Sequence, residues 1–473
     1  IICMDLSPLR RKLSSIGQDH VLRFYESLDS GARKRLVGQL QALDLNNLSD
    51  LSRKYVKGKS AVALPRDIQA VKAYPHVPEP DQRDLYAQAT QRGQDILAEG
   101  KVAAMLVAGG QGTRLGYEGP KGEYPITPVK NKPLFQVFAE QLRAHSLRCG
   151  RLIPWYIMTS DINDIPTRAF FQKHQFFGYD EQSILFFQQG MAPAFSLDGR
   201  LLLAEKDSLA LSPDGHGGSL SALSRSGALE DMRRRGVEHL SYFQVDNPLV
   251  HCIDPLFLGL HDLSGSEMSS KTIPKASAQE RVGNFVLGDG VLQVIEYSDL
   301  PEELAHRLGA DGKPYLNAAS IAVHALRVSF VEQLNAGGRL NLPWHRAEKK
   351  VPFVDEQGRS IKPEKPNAVK LEQFVFDAIP LAKNPIIYTT DRAEEFSPVK
   401  NAEGGSSPAT CRKDQVLRAA RWLKQAGVAV ALNCGEPDTL IEISPMFALT
   451  AAELKGRSIP VRQIKGGESV YLC

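Results

Sequence analysis

Val102-Ala103-Ala104-Met105-Leu106-Val107 runs directly into Ala108-Gly109-Gly110-Gln111-Gly112-Thr113-Arg114-Leu115-Gly116 and on to Pro120-Lys121-Gly122. The first six residues have the length and apolar character of a buried strand. A helical pattern begins at Pro133-Leu134-Phe135-Gln136-Val137-Phe138. A strand that empties into a glycine-rich loop bearing Arg and Lys suits an anion. Glycine lets the backbone turn sharply and brings N–H groups close to phosphate oxygens. Arg114 and Lys121 add neutralising charge. Two other phosphate loops are excluded: Lys121 follows Pro120 and lacks the Gly-Lys-Ser/Thr context of a Walker loop, and Gly110-x-Gly112 leads to Leu115 where the dinucleotide fingerprint needs glycine. Glycines alone would describe an ordinary turn; the two cations at this place favour phosphate.

Working outward, apolar strands alternate with amphipathic helices from Lys101. Strands are predicted over 103–107, 155–158, 183–187, 240–245 and 385–388, with helices over 134–145 and 219–235. This alternation predicts an α/β fold with a doubly wound, mostly parallel sheet, in which ligands bind at the carboxyl ends of strands near a topological switch. Segments 282–287 and 291–297 flank Gly288-Asp289-Gly290, a hairpin signature. Residues 1–97 read as a helical N-terminal subdomain, broken by Pro75, Pro78 and Pro80. Residues 98–400 read as the catalytic core. Gly404-Gly405-Ser406-Ser407-Pro408 reads as a linker or mobile loop, and 401–473 as a small C-terminal α/β or β-rich domain.

A chain of 473 residues exceeds one ordinary core. The net charge of +3 is too small to suggest nucleic-acid binding, and Arg233-Arg234-Arg235 reads as a solvated helix face. Cys3, Cys149, Cys252, Cys411, Cys434 and Cys473 show no metal-ligand spacing, and their sparseness suggests a reducing compartment. No apolar stretch approaches the roughly 18–20 residues that span a bilayer. The start Ile1-Ile2-Cys3-Met4 is too short for a secretory signal. A cytoplasmic protein is expected, with no nucleic-acid or membrane partner, as a monomer or a weak homo-oligomer.

Asp246 ends the apolar run Tyr242-Phe243-Gln244-Val245. A carboxylate at the carboxyl end of a strand suits Mg²⁺, which prefers hard oxygen ligands; an Asp opening a turn before Asn247-Pro248 is the competing reading.

The glycine-rich loop resembles the signature of the eukaryote-like UDP-sugar pyrophosphorylases. Further segments carry the same resemblance in order: Phe187-Gln188-Gln189-Gly190-Met191, Pro213-Asp214-Gly215-His216-Gly217-Gly218, Gln244-Val245-Asp246-Asn247-Pro248 and Val294-Ile295-Glu296-Tyr297-Ser298. Lys349-Lys350-Val351-Pro352-Phe353-Val354-Asp355, Lys362-Pro363-Glu364-Lys365-Pro366-Asn367, Lys370-Leu371-Glu372-Gln373-Phe374-Val375-Phe376-Asp377 and Phe396-Ser397-Pro398-Val399-Lys400-Asn401-Ala402 follow. The resemblance spans roughly residues 100–402 and is strongest to the acetylglucosamine branch.

The resemblance implies a nucleotidyltransferase that joins UTP to a sugar 1-phosphate with Mg²⁺. Such chemistry is in-line attack of one phosphate on another, so it needs positioning and electrostatic stabilisation and no general base. By resemblance, Val107, Ala108, Gly109 and Gly110 hold the uridine ribose and phosphates, while Arg114 and Lys121 meet the triphosphate. Gln189 and Gly215 match positions that read the uracil edge. Asp246 matches the metal-and-phosphate aspartate, and Lys370 and Lys400 match phosphate-contacting lysines, with Lys400 bridging the two reacting phosphates. Gly283, Glu296, Tyr297 and Asn317 match positions around the hexose and its acetamido group. Phe374 and Phe376 either wall the acetyl methyl or pack a core.

The sequence departs from the family near the sugar. His216 stands where the acetylglucosamine enzymes carry Asn, Ser219-Leu220 replaces Leu-Tyr, and Leu316-Asn317-Ala318-Ala319-Ser320 replaces Phe-Asn-Ala-Gly-Asn. Three readings follow: a uridylyltransferase for N-acetylglucosamine 1-phosphate, the same reaction on glucose 1-phosphate or a broader set of sugars, and a catalytically silent nucleotide-sugar-binding protein. The full set of charges disfavours the third.

Overall fold

In the computed structural model, residues 5–58, 63–433 and 436–473 are described. The start at Ile1 to Met4, Cys3 within it, and Cys434 lie outside the described residues. The chain forms two compact units: one of residues 65–188, 222–339 and 378–473, the other of residues 1–64, 189–221 and 340–377.

The larger unit is built on a ten-stranded sheet. Its strands are Ile68–Ala70 (β1), Val102–Val107 (β2), Trp155–Thr159 (β3), Ile184–Gln188 (β4), His239–Gln244 (β5), Met268–Pro274 (β6), Asn284–Gly288 (β7), Val291–Ile295 (β8), Ala318–Arg327 (β9) and Ile386–Thr389 (β10). Four strands, in the spatial order β4-β3-β2-β5, are all parallel. The crossover from β2 to β3 contains helix α1 (Leu134–Cys149), and the one from β3 to β4 contains α2 (Asp164–Lys173). The chain thus moves outward from β2 to β4 and then returns to β5 on the other side of β2. That reversal is a topological switch, and Gln244 and Val107 are paired across it. Beyond β5 the sheet continues through antiparallel β9, which carries β7 on one side and β6 on the other. Both β2 and β3 are buried along almost their whole length, as expected of strands covered on both faces.

The predicted hairpin forms with β7 and β8. Asp289 and Gly290 have φ of +50° and +80°, the pattern that lets a two-residue turn follow strand twist. The helix predicted over 219–235 is instead two helices, Gly218–Arg225 and Ala228–Arg235, broken at Gly227, whose φ of +80° cannot continue a right-handed helix. Arg233 pairs with Glu332, and Arg234 and Arg235 pair with Asp231, as on a solvated helix face.

The unit boundaries differ from the three segments expected. Helix Arg83–Ala98, within the anticipated N-terminal subdomain, belongs to the larger unit and packs on Pro255–Leu263. Gly93 and Gly259 make this possible: a Cβ on either would lie within 1.8 Å of the opposing backbone carbonyl. The C-terminal residues also belong to this unit. They have a core of their own, including Val416, Leu423, Ile441 and Leu472. However, buried Lys132 donates to Glu140 at 2.7 Å and to the Tyr471 hydroxyl at 2.8 Å, and Glu442 accepts the Val129 and Lys130 N–H groups. The expected linker at 404–408 is an ordered turn. Ser406 accepts the Lys400 N–H at 2.7 Å, and Ser407 caps helix Pro408–Gln425 in a capping box with Thr410.

In the smaller unit, N-terminal helices bury Leu13, Leu36, Leu40 and Leu48 against Phe195, Leu201, Val369 and Leu371. They cannot form a subdomain alone, because their apolar faces are covered by residues far along the chain. A three-stranded sheet pairs Ala368–Glu372 with His345–Lys349 and Phe195–Ser196. Among the described residues, Cys149, Cys252, Cys411 and Cys473 are free thiols, and no helix is long and apolar enough to cross a membrane.

Candidate active site

The β2–β5 switch places two sequence-distant segments side by side. The glycine-rich loop leaves β2 after Val107, and Val245-Asp246 leaves β5 beside it, with the Val245 N–H donating to the Val107 carbonyl at 3.1 Å. The loop folds back on itself: Gly112 N–H donates to the Gly119 carbonyl at 2.8 Å, and Lys121 N–H to the Gly110 carbonyl at 3.1 Å. Asn163, fully buried, donates to the Ala108 carbonyl at 2.9 Å and holds the loop's first turn. Sequence reading missed Asn163, which carries no motif and lies more than fifty positions from the carbonyl it holds.

Lys121 is buried, 7% exposed. Its ammonium donates to the Val399 carbonyl at 3.4 Å. Burial lowers its pKa; the Asp246 carboxylate opposes that shift, and the charges of Arg114 and Lys400 add to it. Four of the five side chains expected to handle phosphate, Arg114, Lys121, Asp246 and Lys400, therefore share one electrostatic neighbourhood. Arg114 and Lys400 are exposed, whereas Asp246 is partly buried. The Val399 N–H donates to the Asp246 carbonyl at 2.7 Å, so the segment bearing Lys400 runs along the end of β5.

Asp246 fits the expectation for Mg²⁺. Its carboxylate acts on the neighbouring Lys121 through charge, and no hydrogen bond or ion pair to it occurs among the described residues; Mg²⁺ characteristically takes one or two carboxylates together with substrate phosphates and water. The one described cluster of three ligating side chains, His251, Asp254 and Glu395, does not include Asp246, and its carboxylates already hold the buried Lys271 ammonium at 2.6–2.8 Å.

The predicted sugar residues of this unit gather at the β7–β8–β9 edge. Gly283 precedes β7, and its carbonyl accepts the Ser320 N–H at 2.8 Å. A Cβ at Gly283 would come within 3.1 Å of Glu296 Oε1. Tyr297 is exposed. Asn317 Oδ1 accepts the Lys275 N–H at 2.9 Å, which leaves its amide nitrogen as the group able to donate. Lys275, also missed from sequence, is buried beside it and donates to Asn284 Oδ1 at 3.1 Å; burial lowers its pKa. Leu316 and Ala319 are buried in apolar cores, so those two departures from the family pattern are packing changes.

In the smaller unit the remaining residues form a second coherent group. Gln189 Nε2 donates to the Gly215 carbonyl at 3.0 Å. Gly215 has φ of +86°, and a Cβ there would lie 2.3 Å from the Gln373 carbonyl, so the position demands glycine. His216 stacks on Phe374 with centroids 5.2 Å apart, Phe376 lies 5.7 Å from His216, and His345 packs on Phe374 at 4.3 Å. Phe374 and Phe376 therefore belong to an aromatic cluster, with Phe376 buried and Phe374 partly open. Val375 N–H donates to His216 Nδ1 at 3.1 Å, which assigns the ring proton to Nε2. Burial, with a smaller push from His345, lowers His216 to about 4. Lys370 lies on strand Ala368–Glu372 opposite Ala347.

Comparisons with known proteins agree with this geometry. The family model described as UTP--glucose-1-phosphate uridylyltransferase matches residues 45–407. The chain is 37% identical to UDP-N-acetylhexosamine pyrophosphorylase-like protein 1 of Mus musculus over 475 residues, covering 94% of each chain. It is 38% identical to UDP-N-acetylglucosamine pyrophosphorylase of Saccharomyces cerevisiae, covering 76% of this chain and 77% of that one. The crystal structure of the uridine diphosphate N-acetylglucosamine pyrophosphorylase from Trypanosoma brucei in complex with inhibitor superposes with a TM-score of 0.80 at 25% identity, covering 98% of each chain. The parallel switch, the loop that leaves it and the extent of these matches place the chain in the UTP--glucose-1-phosphate uridylyltransferase family.

Proposed function

We propose that this protein joins UTP to N-acetylglucosamine 1-phosphate, giving UDP-N-acetylglucosamine and pyrophosphate. The observation that carries the reading is the convergence of Arg114, Lys121, Asp246 and Lys400 at one switch point. An attacking sugar phosphate is already anionic, so what it needs is a place where two anions can meet. In this reading the backbone from Val107 to Gly110 and the guanidinium of Arg114 receive the triphosphate. Lys121, held by the Val399 carbonyl, offers a fixed charge. Lys400, on an exposed side chain, offers a movable one that follows charge as it shifts between the reacting phosphates. Asp246 would hold Mg²⁺, which would supply charge neutralisation when bound.

Gln189, Gly215 and Lys370 are assigned to the uridine and its phosphates. Glu296, Tyr297, Gly283 and Asn317 are assigned to the hexose, with the Asn317 amide donating to the acetamido carbonyl. His216, Phe374 and Phe376 are assigned to the acetyl side. The relatives named for N-acetylglucosamine or N-acetylhexosamine support that sugar. Glucose 1-phosphate is the second reading, favoured by the description of the family model. We place the protein in the cytoplasm as a monomer or weak homo-oligomer, on the sparse, unpatterned cysteines and modest net charge. Phosphorus NMR of a reaction containing UTP, N-acetylglucosamine 1-phosphate and Mg²⁺ tests the reading. Signals of a sugar diphosphate diester and free pyrophosphate are expected; UTP left intact contradicts it.

A further inference from the structure

Asn247 follows the predicted metal carboxylate directly, yet its own side chain faces away from solvent and is 5% exposed. Its amide oxygen accepts the Leu249 N–H of its own turn at 3.3 Å, and both ends of the amide also reach one short segment. Nδ2 donates to the Glu395 carbonyl at 2.7 Å, and Oδ1 accepts the Ser397 N–H at 3.1 Å. The next turn of that segment is pinned at Val399, whose N–H donates to the Asp246 carbonyl and whose carbonyl accepts Lys121. Lys400 follows immediately. Glu395 is itself immobilised: its carboxylate accepts the fully buried Lys271 ammonium at 2.7 and 2.8 Å and the Thr390 hydroxyl at 2.5 Å. Lys271 is shared with Asp254 at 2.6 Å.

Resting on the uridylyltransferase reading above, we propose that Asn247 is a positioning residue that registers Lys400 against Asp246. A buried side-chain amide can satisfy one donor and one acceptor at a fixed spacing, and here both belong to residues 395–397. Removing it leaves a buried carbonyl and a buried N–H unpaired, so the segment must relax to find water. Lys400 lies three residues beyond Ser397 on an exposed side chain, so a shift of this segment reaches its ammonium without any contact to Asn247. The buried Lys271–Glu395 pair supplies the rigid post to which the latch is fastened.

A double-mutant cycle on the intact chain tests this. The wild type, Asn247→Ala, Lys400→Ala and the double variant are compared in pyrophosphate release from UTP, with UTP affinity measured by calorimetry and folding by thermal melting. Asn247→Ala is expected to lower kcat at least tenfold while changing UTP affinity less than threefold. In the Lys400→Ala background the same substitution is expected to change kcat less than twofold, because the group it places is gone. An equal loss of kcat in both backgrounds overturns the proposal, as would a loss wholly in UTP affinity. If Asn247→Ala does not fold, Asn247→Asp carries the same cycle, since it keeps the acceptor for Ser397 and loses the donor to Glu395. A wild type that releases no pyrophosphate would defeat the uridylyltransferase reading itself, an outcome separate from additivity in an active enzyme.

Discussion

The Lys121 ammonium donates to the Val399 carbonyl at 3.4 Å, across 278 positions of sequence. This contact ties the end of the glycine-rich loop to the residue before Lys400. It also keeps a cation buried close to two others, an arrangement costly without an anion and favourable with one.

Lys121 should therefore trade stability for function. Its folded-state pKa is lowered, chiefly by burial, so the unfolded chain holds the proton more tightly. The cost is full below the lowered value and is relieved as pH rises from there toward the ordinary lysine value of 10.5. Lys121→Met should be at least as stable as the wild type at pH 7 by thermal melting, and that advantage should shrink at higher pH. Turnover should fall on the order of a hundredfold. A variant that melts well below the wild type at pH 7 would show that the Val399 contact outweighs the buried charge.

Lys400 should act on the chemical step. In the proposed reaction its charge bridges phosphates that approach one another only as reaction proceeds, so Lys400→Ala should depress kcat about a hundredfold with a smaller change in KM. Steady-state kinetics varying UTP and the sugar phosphate separately measure the split. A change confined to KM for UTP would place Lys400 in ground-state binding.

Asp246 should make the reaction dependent on a divalent cation. Excess chelator should abolish turnover and Mg²⁺ should restore it. Asp246→Ala should lower turnover about a hundredfold or more while the melting temperature stays within a few degrees. Full activity in chelator would remove the metal from the account.

His216 should make stability fall in acid. Its pKa is about 4 in the folded protein against an ordinary 6.5, so on acidification the unfolded chain takes up the proton first. The contribution is intact above pH 6.5 and is lost as pH falls to about 4, in total on the order of 3 kcal/mol. Denaturant unfolding at several pH values should show a shallower acid slope for His216→Asn than for the wild type. Parallel slopes would mean that the ring is already solvated in the folded state.

Much of this was legible in sequence because it rests on local chemistry. Val102–Val107 has the composition of a strand covered on both faces, and Asp289-Gly290 can hardly avoid a tight hairpin turn. Arg114 and Lys121 stood out as candidates because cations are unusual in a glycine-rich loop after a strand, whereas Asp246, Lys370 and Lys400 were singled out by the family resemblance. Other features depend on partners remote in sequence. Gly227 breaks a helix whose amphipathic pattern continues on both sides of it. The glycines and serines at 404–408 look like a linker until Ser406 meets Lys400 and Ser407 caps a helix. Arg83–Ala98 joins the sheet unit only because Gly93 meets the helix containing Gly259. Asn163, Asn247 and Lys271 are ordinary polar residues in the sequence, and their roles exist only once the fold buries Asn163 and Asn247 against backbone groups 55 and about 150 positions away and Lys271 against the carboxylates of Asp254 and Glu395.

The sugar and the reaction meet in one measurement: kcat/KM for pyrophosphate release from UTP with N-acetylglucosamine 1-phosphate and with glucose 1-phosphate, side by side, for the wild type and Asn317→Ala. Asn317 Oδ1 is committed to Lys275, so its amide donor is free to meet an acetamido carbonyl, and a substrate without that carbonyl leaves it unpaired at a cost of roughly 1–3 kcal/mol. Pyrophosphate release is expected with both sugars, with kcat/KM about ten- to a hundredfold higher for N-acetylglucosamine 1-phosphate and a narrower gap in Asn317→Ala. Equal or better kcat/KM with glucose 1-phosphate would contradict the assigned sugar, and no pyrophosphate from either would contradict the assigned reaction.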